Sequence, residues 1–413
     1  MPRHLRYLMI IIALSLLCSE GRAQEKVDVF AVGSVLPVTT PISPWLSEDP
    51  AFEVTLLPTR FYDTEEITAD DARRTLRIYF PRNDQAMRDY DCVLFSGGDV
   101  RFFEARYIQM IKRAVESGVG AATDMGGMSG PLHPSWIASG IYEIFPNDVL
   151  AVSELWNKGI SHDKVFSIKV NKQLEYNPLL PFVSVGIERL IGGRTRIILP
   201  MEGSTSYGWM ECQAYSGYNF ASRASASVVW RYGEGKTNAF EAFLGHSWWS
   251  RVIDPSDAEY GQDILINYLL DVSDKGYHTD IQMVHQYRQS LSDYHGRYSY
   301  IEDLLSFVGR FGANTNPIDR QLESLGEELS LSHELYLEGD VESAIEISRS
   351  LISELFEMEE DAKKARSRAL MWVYVSEWLV VTATLMISGY VIDQLMIKRK
   401  LYKTTAHTRL GSS

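Results

Sequence analysis

An apolar run of about twenty residues near the C-terminal end limits what this part of the chain can form. The segment WLVVTATLMISGYVIDQLMI covers Trp378–Ile397 and is followed at once by the basic residues Lys398–Lys400. A helix of roughly 20 residues crosses the core of a bilayer, and within lipid the backbone must satisfy its own polar groups. We therefore predict a transmembrane helix over residues 372–397, with the lipid bilayer as its partner, and a basic cytoplasmic tail over residues 398–413.

The first 23 residues have the pattern of a secretory signal peptide. A basic start, MPRHLR, precedes the apolar run YLMIIIALSLLC, which is short for a membrane span, and the segment ends in GRA at Ala23. Basic residues flank the C-terminal apolar run on both sides, so the signal peptide decides the orientation. We expect a single-pass protein of the cell membrane, with its N-terminal domain outside the cytoplasm and its C-terminus inside.

Residues 24–276 alternate apolar runs with segments of helical periodicity. The runs VDVFAVGS, FEVTLLP, RTLRIYFP and DYDCVLFSGGD are predicted strands, and EARYIQMIKRAVESG is a predicted helix that precedes the strand VGAATDMGG. Further along, ASVVWRYGEGKTNAFEAFL predicts a hairpin with GEGK as its turn. This alternation favours an α/β domain, with a parallel sheet and helices on both of its faces.

The predicted strands end in glycine-rich tips. These tips are Gly33-Ser34, Gly97-Gly98-Asp99 and Asp124-Met125-Gly126-Gly127. Ligands of open α/β sheets bind at the carboxyl ends of the strands, and backbone amides there can face a ligand. We therefore predict ligand-binding residues at Gly97, Gly98, Asp99, Met125, Gly126 and Gly127, although the same glycines also suit tight turns.

After Asn316 the sequence is charged, apolar at helical spacing and almost free of helix breakers. We predict an α-helical hairpin stalk over residues 317–371, turning at Glu338–Asp340, with Asp340 as a helix N-cap. Residues 277–316 are assigned to a linker region. The second helix of the hairpin would continue into the membrane span.

Composition excludes some functions. The net charge of -14 and the pI near 5.2 argue against a nucleic-acid partner. No set of His, Asp and Cys has zinc-ligand spacing, and we expect neither a metal nor a cofactor. Cys92 lies in an apolar run and is interpreted as a buried strand residue, with a Cys92–Cys212 disulfide as the alternative.

The order of several motifs resembles the class I glutamine amidotransferase-like superfamily, in its putative glutamine amidotransferase or ThuA-like branch. The motifs are DYDCVLFSGGD, ARYIQMIKRAVESG, GAATDMGGMSG, SWIASGIYEIFP and WRYGEGKTNAFEAFLGHSWW followed by YGQDILINYLL. The resemblance covers about the first two thirds of the chain. It implies a flavodoxin-like sheet and a strand-to-helix elbow that presents a nucleophile.

The resemblance also implies that this elbow has lost its chemistry. True amidotransferases hold a Cys at the position that Met125 occupies here, and a thioether cannot become a nucleophilic thiolate. A His-x-Glu pair is absent late in the domain, where His246 stands in GHSWW. Asp124 and His246 are the remaining catalytic candidates. Asp124 could instead cap a helix, and His246 could be a structural hydrogen-bonding residue.

The segment EGSTSYGWMECQAYSGYNF is dense in aromatic residues and is interpreted as an exposed loop. Such residues suit a protein interface or stacking on a sugar, and they could equally pack over the sheet as a lid. Both interpretations stay open.

Three functions are compatible with this sequence. The first is a membrane-anchored, extracytoplasmic and catalytically degenerate amidotransferase-like domain that binds a small molecule, a glycan or an envelope protein. The second is an extracytoplasmic hydrolase or carbohydrate-modifying enzyme that uses Asp124 and His246. The third is a structural component of a cell-envelope assembly.

Overall fold

The computed structural model describes residues 25–33, 35, 42–59, 68–97, 100–124, 134–148, 166–189, 191–192, 198–211, 224–240, 260–311 and 315–410. The chain forms two compact units. One consists of Met1–Leu291 with Leu331–Glu346, and the other of Ser292–Ser330 with Ile347–Ser413. The described residues of the first unit form an α/β domain, and those of the second are helical.

The α/β unit is built on one mixed sheet. Its strands are β1 (Val27–Gly33), β2 (Phe52–Pro58), β3 (Cys92–Ser96), β4 (Gly120–Asp124), β5 (Phe166–Val170), β6 (Ile191–Gly192), β7 (Thr205–Glu211), β8 (Ser225–Tyr232) and β9 (Gly235–Phe240). They lie in the order β2-β1-β3-β4-β9-β8-β7-β5-β6. Neighbours from β2 to β9 are parallel, and neighbours from β9 to β6 are antiparallel. The α/β class is confirmed, whereas the prediction of a parallel sheet is wrong for one half.

The reversal of direction is made by the β8–β9 hairpin, which the GEGK turn predicted. Gly233 and Glu234 join the two strands, and Gly233 has a φ of 63°. Glycine adopts this left-handed conformation readily because it has no Cβ. A two-residue turn can only join antiparallel strands, so β8 must run against β9.

Helices pack on both faces of the sheet, as predicted. They are α1 (Ile42–Ser47), α2 (Ala69–Tyr79), α3 (Asp84–Arg88), α4 (Ala105–Glu116), α5 (Pro134–Ser139) and α6 (Gly261–Val272). On one face, residues of α2 and α4 join a buried cluster with Phe95. On the other face, α6 lies so close to β4 that a Cβ on Gly120 would overlap the carbonyl oxygen of Val272.

The segment RTLRIYFP, predicted as a strand, is the end of helix α2 and the residues after it. Thr68 and Asp71 form a capping box that starts this helix: the Thr68 side chain accepts from the Asp71 backbone N–H, and the Asp71 side chain accepts from the Thr68 backbone N–H. Ala72 and Leu76, one turn apart, are buried, whereas Ile78 is exposed. The alternation of Leu76, Ile78 and Phe80 imitated a strand, but the helix start signal upstream decides the structure.

The segment predicted as a linker contains helix α7 (Ile281–Gly309), which is followed by α8 (Asn316–Leu337) and α9 (Val341–Leu410). In the helical unit each helix buries apolar side chains at helical spacing. These are Ile301, Leu304, Leu305 and Val308 on α7, Leu322, Leu325 and Leu329 on α8, and Leu351, Leu355 and Met358 on α9. Arg297 of α7 also donates to Glu359 of α9 at 2.9 Å.

The turn between α8 and α9 lies where the sequence predicts it. Gly339 has a φ of 88°, and the Asp340 carboxylate accepts from the backbone N–H of Ser343 at 3.2 Å and from its hydroxyl at 2.7 Å. These hydrogen bonds lower the pKa of Asp340. Asp340 is therefore the N-cap of α9.

Helix α9 contains the apolar run of the sequence. By length and composition its stretch Val341–Tyr402 can cross a membrane, since its most apolar window has a mean hydropathy of 1.6 and none of that window is buried. The predicted span, residues 372–397, lies inside this stretch. Residues 1–23, the predicted signal peptide, lie outside the described residues.

Candidate functional site

The parallel strands in the middle of the sheet end close together at one edge. Gly33 of β1 is level with Ser96 of β3, and Asp124 of β4 is level with Phe240 of β9. This is the edge at which open α/β sheets bind ligands. Two residues singled out in the sequence, Gly97 and Asp124, meet here.

Asp124 ends β4 and is completely buried. Its Oδ1 accepts from the backbone N–H of Gly97 at 2.8 Å, and its Oδ2 accepts from the Ser96 hydroxyl at 3.2 Å. Gly97 itself has a left-handed φ of 53°, which favours glycine. Asp124 thus ties the end of β3 to the end of β4, a role that the sequence interpretation did not include.

Two further polar side chains share a sheet face with Asp124. Ala122 lies opposite Asn238 of β9, and Asp124 lies opposite Phe240. Ser227 of β8 is in turn opposite Phe240. Because side chains alternate between the two faces of a sheet, Asp124, Asn238 and Ser227 lie on the same face.

We call Ser96, Asp124, Asn238 and Ser227 the polar row. They belong to the four neighbouring strands β3, β4, β9 and β8, and each has 0% exposure. The polar row contains two hydrogen-bonded pairs. The Ser96 hydroxyl donates to Asp124, and the Ser227 hydroxyl donates to Asn238 Oδ1 at 3.0 Å. Between these pairs, the Asn238 Nδ2 atom is buried and has no hydrogen-bond partner.

Rotating the Asn238 amide does not remove the unpaired atom. The oxygen and nitrogen of an amide can exchange places in an assignment, so Nδ2 could instead face Ser227 and donate to its hydroxyl. The amide oxygen would then take the place that lacks a partner. Burying a polar amide group without a hydrogen bond costs on the order of 1–3 kcal/mol, so either assignment leaves a position that another molecule can satisfy.

Most of the site residues predicted from the sequence lie outside the part of the chain that the structure describes. Gly97 and Asp124 are brought together, as stated above. The residues outside the described part of the chain are Gly98, Asp99, Met125, Gly126, Gly127 and His246. Their assignments, including the pairing of Asp124 with His246, stay predictions.

A second buried polar group surrounds Arg288 of α7. We call Arg288, Asp49, Asp263, Tyr336 and His278 the arginine cluster. The guanidinium donates through Nε to Asp49 at 2.6 Å, through Nη1 to Asp263 at 2.5 Å and through Nη2 to the Tyr336 hydroxyl at 3.0 Å. Each guanidinium nitrogen therefore has a partner, and the cluster joins α6, α7, α8 and the segment before β2.

Electrostatics in the arginine cluster follow from burial and from its ion pairs. Burial alone disfavours a charged guanidinium, but Tyr336, Asp49 and Asp263 outweigh this and raise the pKa of Arg288. Burial, with Arg288 nearby, lowers the pKa of His278 to about 3. His278 is thus neutral at pH 7, and its Nε2 lies 3.1 Å from the Tyr336 hydroxyl.

A third polar group involves Asp271 near the end of α6. Lys236 donates to Asp271 Oδ1 at 2.6 Å, and the Tyr207 hydroxyl donates to Oδ2 at 2.7 Å. Burial raises the pKa of Asp271, although Lys236 opposes this effect. The pKa of Tyr207 is raised by burial and then by Asp271. This group holds β7 and β9 against α6.

The aromatic segment predicted as an exposed loop begins as strand β7. Tyr207 is buried in that strand, whereas Trp209 is 36% exposed. Tyr215, Tyr218 and Phe220 lie outside the described residues. The period-2 alternation was obscured here by Gly208, whose missing side chain allows close approach to the Lys169 carbonyl of β5.

Cys92 is a buried strand residue, as predicted, and carries a free thiol. Burial raises its pKa to about 12, which suppresses the reactive thiolate. Cys212, the partner in the alternative disulfide, lies outside the described residues. Among the described residues, His, Cys, Asp and Glu do not assemble in threes that could hold a metal ion.

Sequence reasoning missed Asn238 and Ser227 because both lie in the predicted hairpin, where a polar residue at alternate positions indicates a solvent-facing side. In this sheet both faces are covered, so the same alternation places polar groups in the interior. The available signal was Asn238 in TNAF, since Asn is depleted in strands.

No family model matches the chain, and no curated protein matches it. Similar solved structures include a cytoplasmic protein from Salmonella typhimurium LT2, with 14% identity and a TM-score of 0.42 over 60% of this chain and 99% of that chain. Another is a cytoplasmic protein from Salmonella typhimurium, with 13% identity and a TM-score of 0.42 over 59% of this chain and 98% of that chain. The case for a function rests on the chain's own residues.

Proposed function

We propose that this protein is anchored in a membrane and that its α/β domain is a non-catalytic binding module facing the outside of the cytoplasm. The observation that carries the proposal is the unpaired amide of Asn238 in the polar row. Buried polar groups nearly always have partners, and this one lies close to the edge where α/β sheets bind ligands. A bound ligand would complete it.

The strand order supports a flavodoxin-like core of the domain. The parallel strands lie in the order β2-β1-β3-β4-β9, which corresponds to the 2-1-3-4-5 order of flavodoxin-like sheets. The antiparallel strands extend that sheet on one side. In this interpretation β4 leads into the elbow that contains Met125.

Two features favour binding over catalysis. Met125 stands where amidotransferases have a nucleophilic Cys, and its thioether has no acidic proton. Asp124 accepts hydrogen bonds from the Gly97 amide and the Ser96 hydroxyl, contacts that position two strand ends. Neither arrangement activates a nucleophile.

Binding is tested with the full chain solubilised in detergent. Thermal unfolding is followed in the presence of a panel of sugars, amino acids and other metabolites, and of solubilised envelope proteins. A ligand that prefers the folded state raises Tm by mass action, and we expect at least one such shift. A panel in which no compound and no protein shifts Tm contradicts the binding-module proposal.

The topology is tested separately by protease treatment of intact cells. One epitope tag is inserted after Gln24 and another after Ser413. We expect the first tag to be digested and the second to be protected, since α9 would place only the tail inside. Digestion of the C-terminal tag in intact cells contradicts this orientation.

A further inference from the structure

The unpaired atom of Asn238 has a defined chemical environment. Across the β4–β9 pairing the residue opposite is Ala122, whose methyl group leaves more space beside the amide than a larger side chain would. Phe240 lies two residues after Asn238 on β9 and on the same face of the sheet. Its ring stacks on that of Tyr268 of α6, with 5.3 Å between the ring centroids. On its other side Asn238 pairs with Val229 of β8, so its neighbours on this face are Ala122, Val229 and Phe240.

Charge around Asn238 disfavours an anion. The Asp124 carboxylate is on the adjacent strand and the same face, so a second negative charge there would be repelled. Lys236 also lies on this face of β9, but its ammonium group is bonded to Asp271. The strand that carries Asn238 therefore offers a neutral hydrogen-bonding amide, and its Lys236 is already paired with Asp271.

We infer that Asn238 is a recognition residue, and that its unpaired amide atom forms a hydrogen bond with a hydroxyl or carboxamide group of a neutral small molecule, either of which can both donate and accept. This inference rests on the proposed binding function and names its ligand class. A hydroxyl or a carboxamide can also donate a hydrogen bond, which suits a position beside a carboxylate. Ser227 orients Asn238 by bonding its other amide atom.

A purely structural Asn238 has different consequences. If the amide only filled the core, replacing it with Leu would leave any ligand binding unchanged. If Asn238 recognises a ligand, the same change removes the hydrogen-bonding amide and weakens binding. The Thr59→Val variant is the matched control, because Thr59 Oγ1 is another buried atom without a hydrogen-bond partner and follows β2, four strands away from β9.

The experiment uses the full chain in detergent and five probes. Glucose and glycerol represent hydroxyl ligands, acetamide represents carboxamides, and acetate and inorganic phosphate represent anions. We expect a neutral probe near ten times its Kd to raise Tm by about 1–4 °C. Asn238→Leu should weaken its binding by about ten-fold, as loss of one hydrogen bond predicts, while Thr59→Val stays within about three-fold.

The outcomes separate this inference from the proposed function. Equal binding of a neutral probe by wild type and Asn238→Leu overturns the role of Asn238, and tighter binding of acetate or phosphate overturns the ligand class. If none of the five probes changes Tm, the inferred ligand class is overturned as well. The binding-module proposal then depends only on its wider panel of compounds and proteins. If Asn238→Leu does not fold, Ala122→Leu replaces it. The larger side chain opposite Asn238 would block access to the amide, so the same loss of binding is expected.

Discussion

The polar row and the arginine cluster are both buried, yet they differ in how completely they are paired. In the arginine cluster every nitrogen of Arg288 donates to a carboxylate or a hydroxyl, and the partners come from separate segments. In the polar row the nitrogen of Asn238 has none. A buried network that satisfies its central group rigidifies the fold, whereas an unpaired buried group is costly. Our proposal is that a ligand completes the second network.

The largest expected effect comes from breaking the arginine cluster. Arg288→Met leaves Asp49 and Asp263 buried without their cation, and breaking a buried ion pair in this way costs about 3–5 kcal/mol. We expect a large fall in Tm or a chain that does not fold. The control is Arg297→Met, since Arg297 is 38% exposed in its pair with Glu359 and such pairs contribute about 0–1 kcal/mol. Equal effects of both changes would show that Arg288 does not hold the fold together.

The next effect is a pH dependence that belongs to the arginine cluster. His278 has a pKa of about 3 in the folded protein and an ordinary value of 6.5, so the unfolded chain binds the proton more readily. Stability from this group is present above pH 6.5 and is lost as the pH falls toward 3, by at most about 1.4 kcal/mol per pH unit. Unfolding midpoints measured between pH 7 and pH 4 should fall less steeply for His278→Gln. Parallel curves for the variant and the wild type would exclude His278 as the source.

Replacing Asp124 of the polar row should have an intermediate effect on stability. Asp124→Asn keeps the shape, with its oxygen accepting from the Gly97 N–H and its NH2 group donating to the Ser96 hydroxyl, but both hydrogen bonds lose the added strength of a charged acceptor. We expect a destabilisation of about 1–3 kcal/mol, measured by thermal unfolding. Asp84→Asn, at the exposed pair with Arg113, is the control and should change Tm much less. If Asp124→Asn left Tm unchanged, the ends of β3 and β4 would not depend on this carboxylate.

The smallest effect on stability is expected from the pair Ser227 and Asn238 of the polar row. The double variant Ser227→Ala with Asn238→Leu removes both partners of one hydrogen bond together with the unpaired nitrogen. Replacing both partners by apolar groups is nearly neutral, so Tm should remain close to that of the wild type. A loss as large as that of Arg288→Met would erase the distinction between the two polar groups.

Local patterns in the sequence predicted much of the fold. The runs of β1, β3 and β4, the helix α4, the β8–β9 turn and the Asp340 cap were all recognised from neighbouring residues. The errors have a common cause. Residues 74–81 alternate like a strand but follow a capping box, and residues 277–316 were assigned to a linker although α7 lies within them. In both cases a helix start signal decided the structure: the capping box of Thr68 and Asp71 for α2, and for α7 the Asp280 carboxylate, which accepts from the Met283 N–H at 3.1 Å.

The candidate site was predicted only in part, for a different reason. Asp124 and Gly97 were singled out because strand tips carry glycine and acidic residues. Asn238 and Ser227 were not, because their significance depends on which strand lies next to β4. That neighbour is β9, more than a hundred residues further along the chain, and local pattern does not contain this pairing.

By itself the sequence determined the class of the domain, the apolar helix that is able to cross a membrane and the ends of β1, β3 and β4. Each depends on interactions between residues a few positions apart, such as periodicity, capping and the length of an apolar run. Only the tertiary structure decided that the hairpin joins the parallel strands through β9 and β4, that Arg288 joins distant segments and that Asn238 is buried with an unpaired amide atom. These properties depend on burial and on long-range pairing, which arise only when the strands β3, β4, β9 and β8 are brought side by side.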